Sequence, residues 1–109
     1  MMMYQTITMK QLEQMLDCHE DIFLLDVRNR ASYEMCHMEG AVNIPCEELD
    51  EKMESLPKDK TIVCYCARGG QSMLACNHLS AMGYSVVNTA NGLSSYRGKY
   101  LVKGQNISR

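Results

Sequence analysis

The stretch that most constrains this chain is residues 61–72, which read TIVCYCARGGQS. Its first residues are of the apolar and β-branched types that fill a buried strand, and a cysteine with a glycine-containing loop follows directly. A helical pattern then runs from about Ser72 to Met82. A strand that passes through a short loop into a helix is the repeating unit of parallel α/β folds, so this stretch predicts that class.

Cys66 holds a special position in this stretch, because it lies between the predicted strand and the start of the predicted helix. Backbone N–H groups at a helix N-terminus and in a glycine-permitted turn favour negative charge. The pKa of a thiol placed there falls, and its nucleophilicity at neutral pH rises. Arg68 adds a cation two residues later. The sequence therefore predicts a reactive Cys66, whereas an inert buried thiol is the structural alternative.

The rest of the chain alternates between short strand patterns and short helix patterns. A capping box formed by Thr8 and Gln11 predicts a helix that ends near Asp17, with ordered structure beginning at Ile7. The other expected strands are residues 22–25, 40–45 and 85–88, and the other expected helices are residues 31–38, 47–56 and 92–99. This alternation favours a mainly parallel sheet with helices on both faces.

Length and charge limit what the chain can bind. Its 109 residues suit one domain over 1–109, with loose termini expected at 1–5 and 104–109. The net charge of −2 comes without any basic run, so the sequence offers no surface for nucleic acid. No apolar run approaches the length of a membrane span. Neither nucleic acid nor a membrane is expected as a partner.

The six cysteines do not form a recognisable disulfide or metal pattern. The first nine residues lack the basic and apolar regions of a secretory signal, so we expect reduced thiols and a cytoplasmic protein. Cys64 and Cys66 are spaced too closely for a zinc knuckle, and no metal site is predicted. We expect Cys64 to pack in the core rather than to resolve a bond on Cys66.

Several motifs together resemble the rhodanese domain, the single-domain sulfurtransferase family, over nearly the whole chain. The matching segments occur in the family's order: LLDVR at 24–28, YEMCHMEGAVNIP at 33–45, CARGGQS at 66–72, the Gly83-Tyr84 pair, and NGLSSYRG at 91–98. The resemblance implies a rhodanese-like three-layer α/β/α fold with a mainly parallel central sheet. It also implies sulfur transfer by double displacement, without a cofactor.

The resemblance assigns roles residue by residue. Cys66 matches the catalytic cysteine that takes a sulfur atom as a persulfide. The matching substrate-binding residues form the loop that holds an anionic donor such as thiosulfate: Ala67, Arg68, Gly69, Gly70 and Gln71. The acceptor implied is a thiol or cyanide, or a protein that takes up sulfur. The matching structural residues near the site are Asp26, Arg28, His37 and Asn43.

The loop departs from the family pattern at Gln71, where arginine is common, so Arg68 is the only cation of the loop. Cys36 also replaces a usual glycine, and Tyr96 replaces a usual tryptophan. A non-catalytic module that carries a persulfide or docks a partner is therefore an alternative function. A phosphatase or arsenate reductase is a weaker alternative, because it predicts a longer loop closed by arginine. Whether Cys36 or Cys64 resolves a persulfide on Cys66 stays open.

Overall fold

The computed structural model describes residues 4–104, in which strands alternate with short helices. The strands are β1 (Gln5–Ile7), β2 (Ile22–Asp26), β3 (Cys36–Met38), β4 (Val42–Asn43), β5 (Thr61–Tyr65), β6 (Val86–Thr89) and β7 (Leu101–Lys103). The α-helices are α1 (Met9–Asp17), α2 (Arg30–Met35), α3 (Leu49–Lys52) and α4 (Gly70–Ala81). Single 3₁₀ turns cover Cys46–Glu48, Met53–Ser55 and Leu93–Ser95.

The main sheet contains five strands in the order β1-β6-β5-β2-β4, and every neighbouring pair in it is parallel. Strand β5 lies at the centre, where Val63 pairs with Leu24 of β2 and with Val87 of β6. Strands β3 and β7 form a separate antiparallel pair. The predicted α/β class with a mainly parallel central sheet is confirmed. Parallel strands carry their sites at the carboxyl edge, where β5 leads into Cys66.

Side chains of β5 alternate between two cores, one on each face of the sheet. Ile62 and Cys64 pack in one core with residues of α3 and α4. Val63 and Tyr65 pack in the other core with residues of α1. All four of these side chains are fully buried. Helices therefore cover both faces, which confirms the predicted three-layer arrangement.

The predicted capping box is present at the start of α1. The Gln11 N–H donates to Thr8 Oγ1 over 3.0 Å, and the Gln11 side-chain oxygen accepts from the Thr8 N–H over 2.8 Å. The helix ends at Asp17, as the sequence indicates. Thus a local side-chain signal defines where the first helix begins.

Three predicted helices are shorter than expected. The predicted helix over 31–38 ends at Met35, because Cys36 turns to an extended backbone (φ −167°) and β3 pairs with β7. The helix predicted over 47–56 is one α-turn between two 3₁₀ turns, although Leu49, Met53 and Leu56 are buried as expected. Of the helix predicted over 92–99, only the 3₁₀ turn Leu93–Ser95 forms.

The expectation of loose termini needs correction where the structure describes them. Gln5 belongs to β1 and pairs with Val87, so ordered structure begins before Ile7. The Gly104 N–H donates to the Met35 carbonyl over 2.7 Å. These non-local pairings leave no signal in the local sequence. Residues 1–3 and 105–109 lie outside the described residues. Within residues 4–104, no helix has the length and apolar character needed to span a membrane.

Candidate active site

Cys66 follows β5 directly and lies at the base of a tight loop that leads into α4. The loop reverses direction at Gly69, whose φ of +102° is a left-handed value that favours glycine. A Cβ atom on Gly69 would also lie 3.1 Å from the backbone nitrogen of Asn91. Gly69 caps α4, so the first N–H groups of that helix point back towards Cys66. The predicted strand, glycine loop and helix N-terminus thus lie together around one thiol.

Two backbone N–H groups donate to Cys66 Sγ. The nitrogen of Gly69 lies 3.0 Å from the sulfur, and the nitrogen of Ser72 lies 3.3 Å from it. The Ser72 hydroxyl oxygen is 3.5 Å from the same sulfur atom. Cys66 is 2 % exposed, so water solvates its sulfur poorly. The sulfur therefore lies in a nest of main-chain donors that suits a thiolate.

The pKa of Cys66 is lowered below the ordinary value of a cysteine thiol. Burial is the largest single effect and raises this pKa, but several hydrogen bonds outweigh it. The Ser72 hydroxyl and the backbone N–H groups of Ser72, Gly69 and Arg68 stabilise the thiolate. The net effect is a lowered pKa, which is the direction that the sequence predicts for this position.

A second segment holds the loop from behind. The N–H groups of Leu93 and Ser94 donate to the carbonyls of Cys66 and Ala67 over 2.8 and 3.0 Å. Gly92 precedes them with φ +61° and ψ −171°, a region that essentially only glycine occupies. A Cβ atom at Gly92 would collide with the backbone of Cys66 and Ala67. The predicted helix over 92–99 stops after one turn, because the backbone of Tyr96 is extended (φ −89°, ψ 134°).

The remaining loop residues face the solvent around the thiol. Ala67, Arg68, Gly70 and Gln71 are exposed, whereas Gly69 is buried. Within residues 4–104, the Arg68 guanidinium has no ion pair or side-chain hydrogen bond, and neither does the Gln71 amide. Both side chains are thus available to an incoming anion.

The neighbouring cysteines differ from Cys66 in their environment. Cys64 is fully buried, and a hydrogen bond with Cys76 together with burial raises its pKa well above the ordinary value. Burial also raises the pKa of Cys46, and the charges of Cys66 and Glu47 add to the rise. The environment of Cys64 agrees with the packing role expected for it. The pKa of Cys66 is thus lowered, whereas the pKa values of Cys46 and Cys64 are raised.

Three of the four predicted structural residues form a hydrogen-bonded cluster, and His37 lies apart from it. The Arg28 Nη2 atom lies 2.7 Å from Asp26 Oδ2, and both side chains are buried. The Asn43 Nδ2 group donates to the carbonyls of Asp26 and Arg28, which ties β4 to the end of β2. His37 lies in β3, with its Nδ1 atom 2.8 Å from the Tyr33 carbonyl and its ring stacked on Tyr33. Within the described chain, none of these four side chains hydrogen bonds to residues 66–71.

Three site residues escaped the sequence analysis as parts of the site: Ser72, Asn88 and Gly92. Ser72 was assigned only to the start of a helix, yet its N–H and hydroxyl both approach the sulfur. Asn88 accepts a hydrogen bond from Ser72 over 2.7 Å. Its signal in the sequence is an amide directly after the two valines of β6. Within residues 4–104, no group of three or more His, Cys, Asp or Glu side chains converges on a possible metal position.

Comparison with known proteins places this geometry in a wider context. The family model described as "Rhodanese-like domain" matches residues 8–99. The chain is 32% identical over 93 residues to the "Putative sulfurtransferase YtwF" of Bacillus subtilis, an alignment that covers 85% of this chain and 90% of the relative. It is 42% identical over 71 residues to the "Thiosulfate sulfurtransferase PspE" of Escherichia coli, covering 63% of this chain and 68% of the relative.

Solved structures show the same fold. The crystal structure of a rhodanese-like domain protein from Staphylococcus aureus superposes with a TM-score of 0.84, at 24% identity, and covers 93% of this chain and 99% of that one. The fold and the site thus define an α/β protein with an activated cysteine at a helix N-terminus. More particularly, the chain belongs to the rhodanese-like family of sulfurtransferases.

Proposed function

We propose that the protein transfers a sulfane sulfur from thiosulfate or a persulfide donor to a thiophilic acceptor through a persulfide on Cys66. The observation that carries this proposal is the nest of N–H donors around Cys66 Sγ, at 3.0 and 3.3 Å. The thiolate attacks the outer sulfur of the donor, and the donor S–S bond breaks as sulfite or a thiolate leaves with the electron pair.

The second step returns the enzyme to its starting state. A cyanide ion or an acceptor thiolate attacks the outer sulfur of the Cys66 persulfide. The S–S bond then breaks towards Cys66, which regains its thiolate, and the acceptor leaves as thiocyanate or a persulfide. The same N–H groups that stabilise the thiolate are available to the persulfide anion. We assign no base to either step, because the lowered pKa of Cys66 favours the thiolate as the attacking species.

The exposed loop side chains are proposed to bind the donor. Arg68 supplies the cation, since it has no ion-pair partner within the described residues. Gln71 supplies a neutral amide, which holds an oxyanion less strongly than the bidentate guanidinium of arginine. Ala67, Gly69 and Gly70 complete the loop with backbone groups. The acceptor is a small thiol, cyanide or a thiol on a protein.

The proposal is tested with a thiosulfate:cyanide sulfurtransferase assay on the wild type, Cys66→Ser and Gln71→Arg. We expect the wild type to form thiocyanate and Cys66→Ser to be inactive. We expect Gln71→Arg to raise kcat/KM for thiosulfate by about tenfold, as for one added hydrogen bond to a charged group. Cys18→Ser is the matched control, because Cys18 is an exposed thiol outside the site.

The second candidate function is a persulfide carrier, which the neutral Gln71 favours. Mass spectrometry after incubation with thiosulfate or a persulfide donor separates the two functions. A sulfur atom gained at Cys66 without turnover to any acceptor indicates a carrier. If no donor adds sulfur to Cys66, both functions are wrong, and a docking module is the remaining alternative.

A further inference from the structure

Asn88 of β6 is a buried amide that the proposed mechanism does not use. It is 2 % exposed, and its Oδ1 atom lies 2.7 Å from the hydroxyl oxygen of Ser72. Its Nδ2 atom lies 3.4 Å from Thr6 Oγ1, on the neighbouring strand β1. Ser72 in turn approaches Cys66 Sγ over 3.5 Å. A continuous chain of polar groups therefore runs from Thr6 through Asn88 and Ser72 to the nucleophile.

The direction of this chain depends on the protonation state of Cys66. A hydroxyl has a single hydrogen to donate. When Cys66 is a thiol, its S–H donates to Ser72 Oγ, and the Ser72 hydroxyl donates to Asn88 Oδ1. The Asn88 Nδ2 group then donates to Thr6. In this state the Ser72 hydroxyl has no hydrogen left for the sulfur or for the Gly69 carbonyl at 3.2 Å.

A thiolate only accepts hydrogen bonds, so the S–H donor to Ser72 is lost when Cys66 ionises, and two movements can then reverse the chain. The Ser72 hydroxyl turns towards the sulfur, and half a turn of the Asn88 amide brings Nδ2 to the Ser72 oxygen. The Asn88 oxygen then accepts from the Thr6 hydroxyl. An amide suits both directions, because it carries a donor and an acceptor on the same end of one side chain. A carboxylate at this position accepts in both states and cannot reverse.

We propose that Asn88 is a positioning residue that controls whether the Ser72 hydroxyl points at the Cys66 sulfur. The inference rests on the proposed function only in that Cys66 is the nucleophile. The titratable groups that act on Cys66 are Cys64 of β5 and Cys46 of the neighbouring 3₁₀ turn, whereas Arg68 acts on it through its backbone N–H. Both thiols stay neutral near pH 7, because their pKa values are raised.

The test measures the rate of Cys66 alkylation by iodoacetamide against pH, with the labelled site resolved by mass spectrometry. In Asn88→Asp the carboxylate holds the Ser72 hydroxyl away from the sulfur. We expect the midpoint of the profile to rise by about one pH unit, which reduces the thiolate about tenfold below the midpoint.

Thr89→Val is the matched control, since Thr89 is the next residue, fully buried, and its hydroxyl has no partner within residues 4–104. Its side chain points to the opposite face of the strand, so its profile should match the wild type.

A double-mutant comparison separates the hydrogen-bond chain from a direct charge effect. In the Ser72→Ala background, Asn88→Asp should shift the midpoint much less than in the wild type. Equal shifts in both backgrounds, or no shift in either, would overturn the proposal. Asn88→Leu carries no charge and leaves the Ser72 hydroxyl free to reach the sulfur, so its shift should be smaller than that of Asn88→Asp.

Asn88→Leu also keeps the test valid if the aspartate variant does not fold. The smaller shift of the midpoint in Asn88→Leu should disappear in the Ser72→Ala background. A shift that persists there would contradict the proposal that Asn88 acts through the Ser72 hydroxyl. The alkylation rate is independent of sulfur transfer, because iodoacetamide reacts directly with the thiolate and needs no sulfur donor or acceptor. If Cys66 of the wild type is alkylated as expected but the protein transfers no sulfur, the proposed function is wrong and this inference still holds.

Discussion

At the scale of single residues, the surroundings of each cysteine determine the pKa of its thiol. Cys66 is buried, yet donors around its sulfur lower its pKa. Cys64 is equally buried, has a thiol neighbour in Cys76 and has a raised pKa. The folded-state pKa of Cys66 lies below that of an unfolded cysteine, so its thiolate is present above that pKa and is lost as pH falls through it. The lowered pKa of Cys66 thus comes from the donors of its site and not from burial alone.

Gly92→Ala is expected to disrupt the site through the backbone. The new Cβ would collide with the backbone of Cys66 and Ala67, at a φ of +61° that alanine avoids. We expect the free energy of unfolding to fall by about 3 kcal/mol or more. Sulfur transfer should fall with it, because the collision displaces the loop. Urea unfolding and the cyanide assay measure the two effects.

Gly83→Ala is the control for this change, because Gly83 also has a positive φ, of +94°, but its Cβ position is open. Backbone strain alone should cost about 1 kcal/mol there and leave sulfur transfer unchanged. If Gly92→Ala lowered the free energy of unfolding and sulfur transfer no more than Gly83→Ala, the close contact with Cys66 and Ala67 would not be the reason for a glycine at position 92.

At the scale of secondary-structure elements, local capping determines where α1 starts. Thr8→Ala removes the side chain that accepts from the Gln11 N–H at 3.0 Å. We expect the free energy of unfolding to fall by about 1 kcal/mol, as for other N-cap losses. Thermal unfolding followed by circular dichroism measures the change.

Gln11→Ala tests the other half of the same box. It removes only the bond from the Gln11 side chain to the Thr8 N–H, so its effect should be smaller than that of Thr8→Ala. Because the two hydrogen bonds hold the same two residues together, we expect the loss of one to weaken the other, and the double variant should cost little more than Thr8→Ala alone. Fully additive losses would show that the two bonds act independently.

Elements with local signals were predictable from the sequence, and elements made by distant pairing were not. The run over 61–65 and the capping box predicted β5 and α1 close to their observed bounds. Strand β1 pairs with β6, and β3 pairs with β7, across long stretches of chain. Such pairing depends on where the rest of the fold lies, so a short window of sequence does not contain it.

The same distinction applies to the site. Cys66 and Gly69 were predictable, because strand, loop and helix follow one another in the sequence. Asn88 and Gly92 follow α4 in the sequence. They lie at the site because β6 pairs in parallel with β5. The predicted roles of Asp26, Arg28, His37 and Asn43 remain proposals. The structure adds that buried Asp26 and Arg28 are joined by hydrogen bonds to the half-buried Asn43, with His37 apart in β3.

At the scale of the whole molecule, the buried Asp26–Arg28 pair joins the main sheet to the small one. Arg28 also donates to the Cys36 carbonyl at the start of β3. Asp26→Asn would leave the Arg28 charge buried without its partner. We expect the free energy of unfolding to fall by about 3–5 kcal/mol. Urea unfolding of both proteins at the same pH measures this loss.

Asp21→Asn is the control, because Asp21 pairs with Lys60 at the surface over 3.2 Å and is 83% exposed. Water already solvates both charges of that pair, so the expected loss is about 0–1 kcal/mol. Similar losses for the two variants would mean that burial does not decide the contribution of an ion pair in this protein.

The use of backbone N–H groups to hold the sulfur separates reactivity from selectivity. Gly69 and Ser72 contribute main-chain donors, which a change of side chain elsewhere in the loop leaves in place. Ala67, Arg68 and Gln71 are exposed, and in the proposed mechanism their side chains meet the donor first. We therefore expect point mutations at these three positions to change which sulfur compound is accepted without rebuilding the nucleophile. Substitutions in this loop, whether in evolution or in a small mutant library, are therefore expected to change the preferred sulfur donor while the nucleophile is kept.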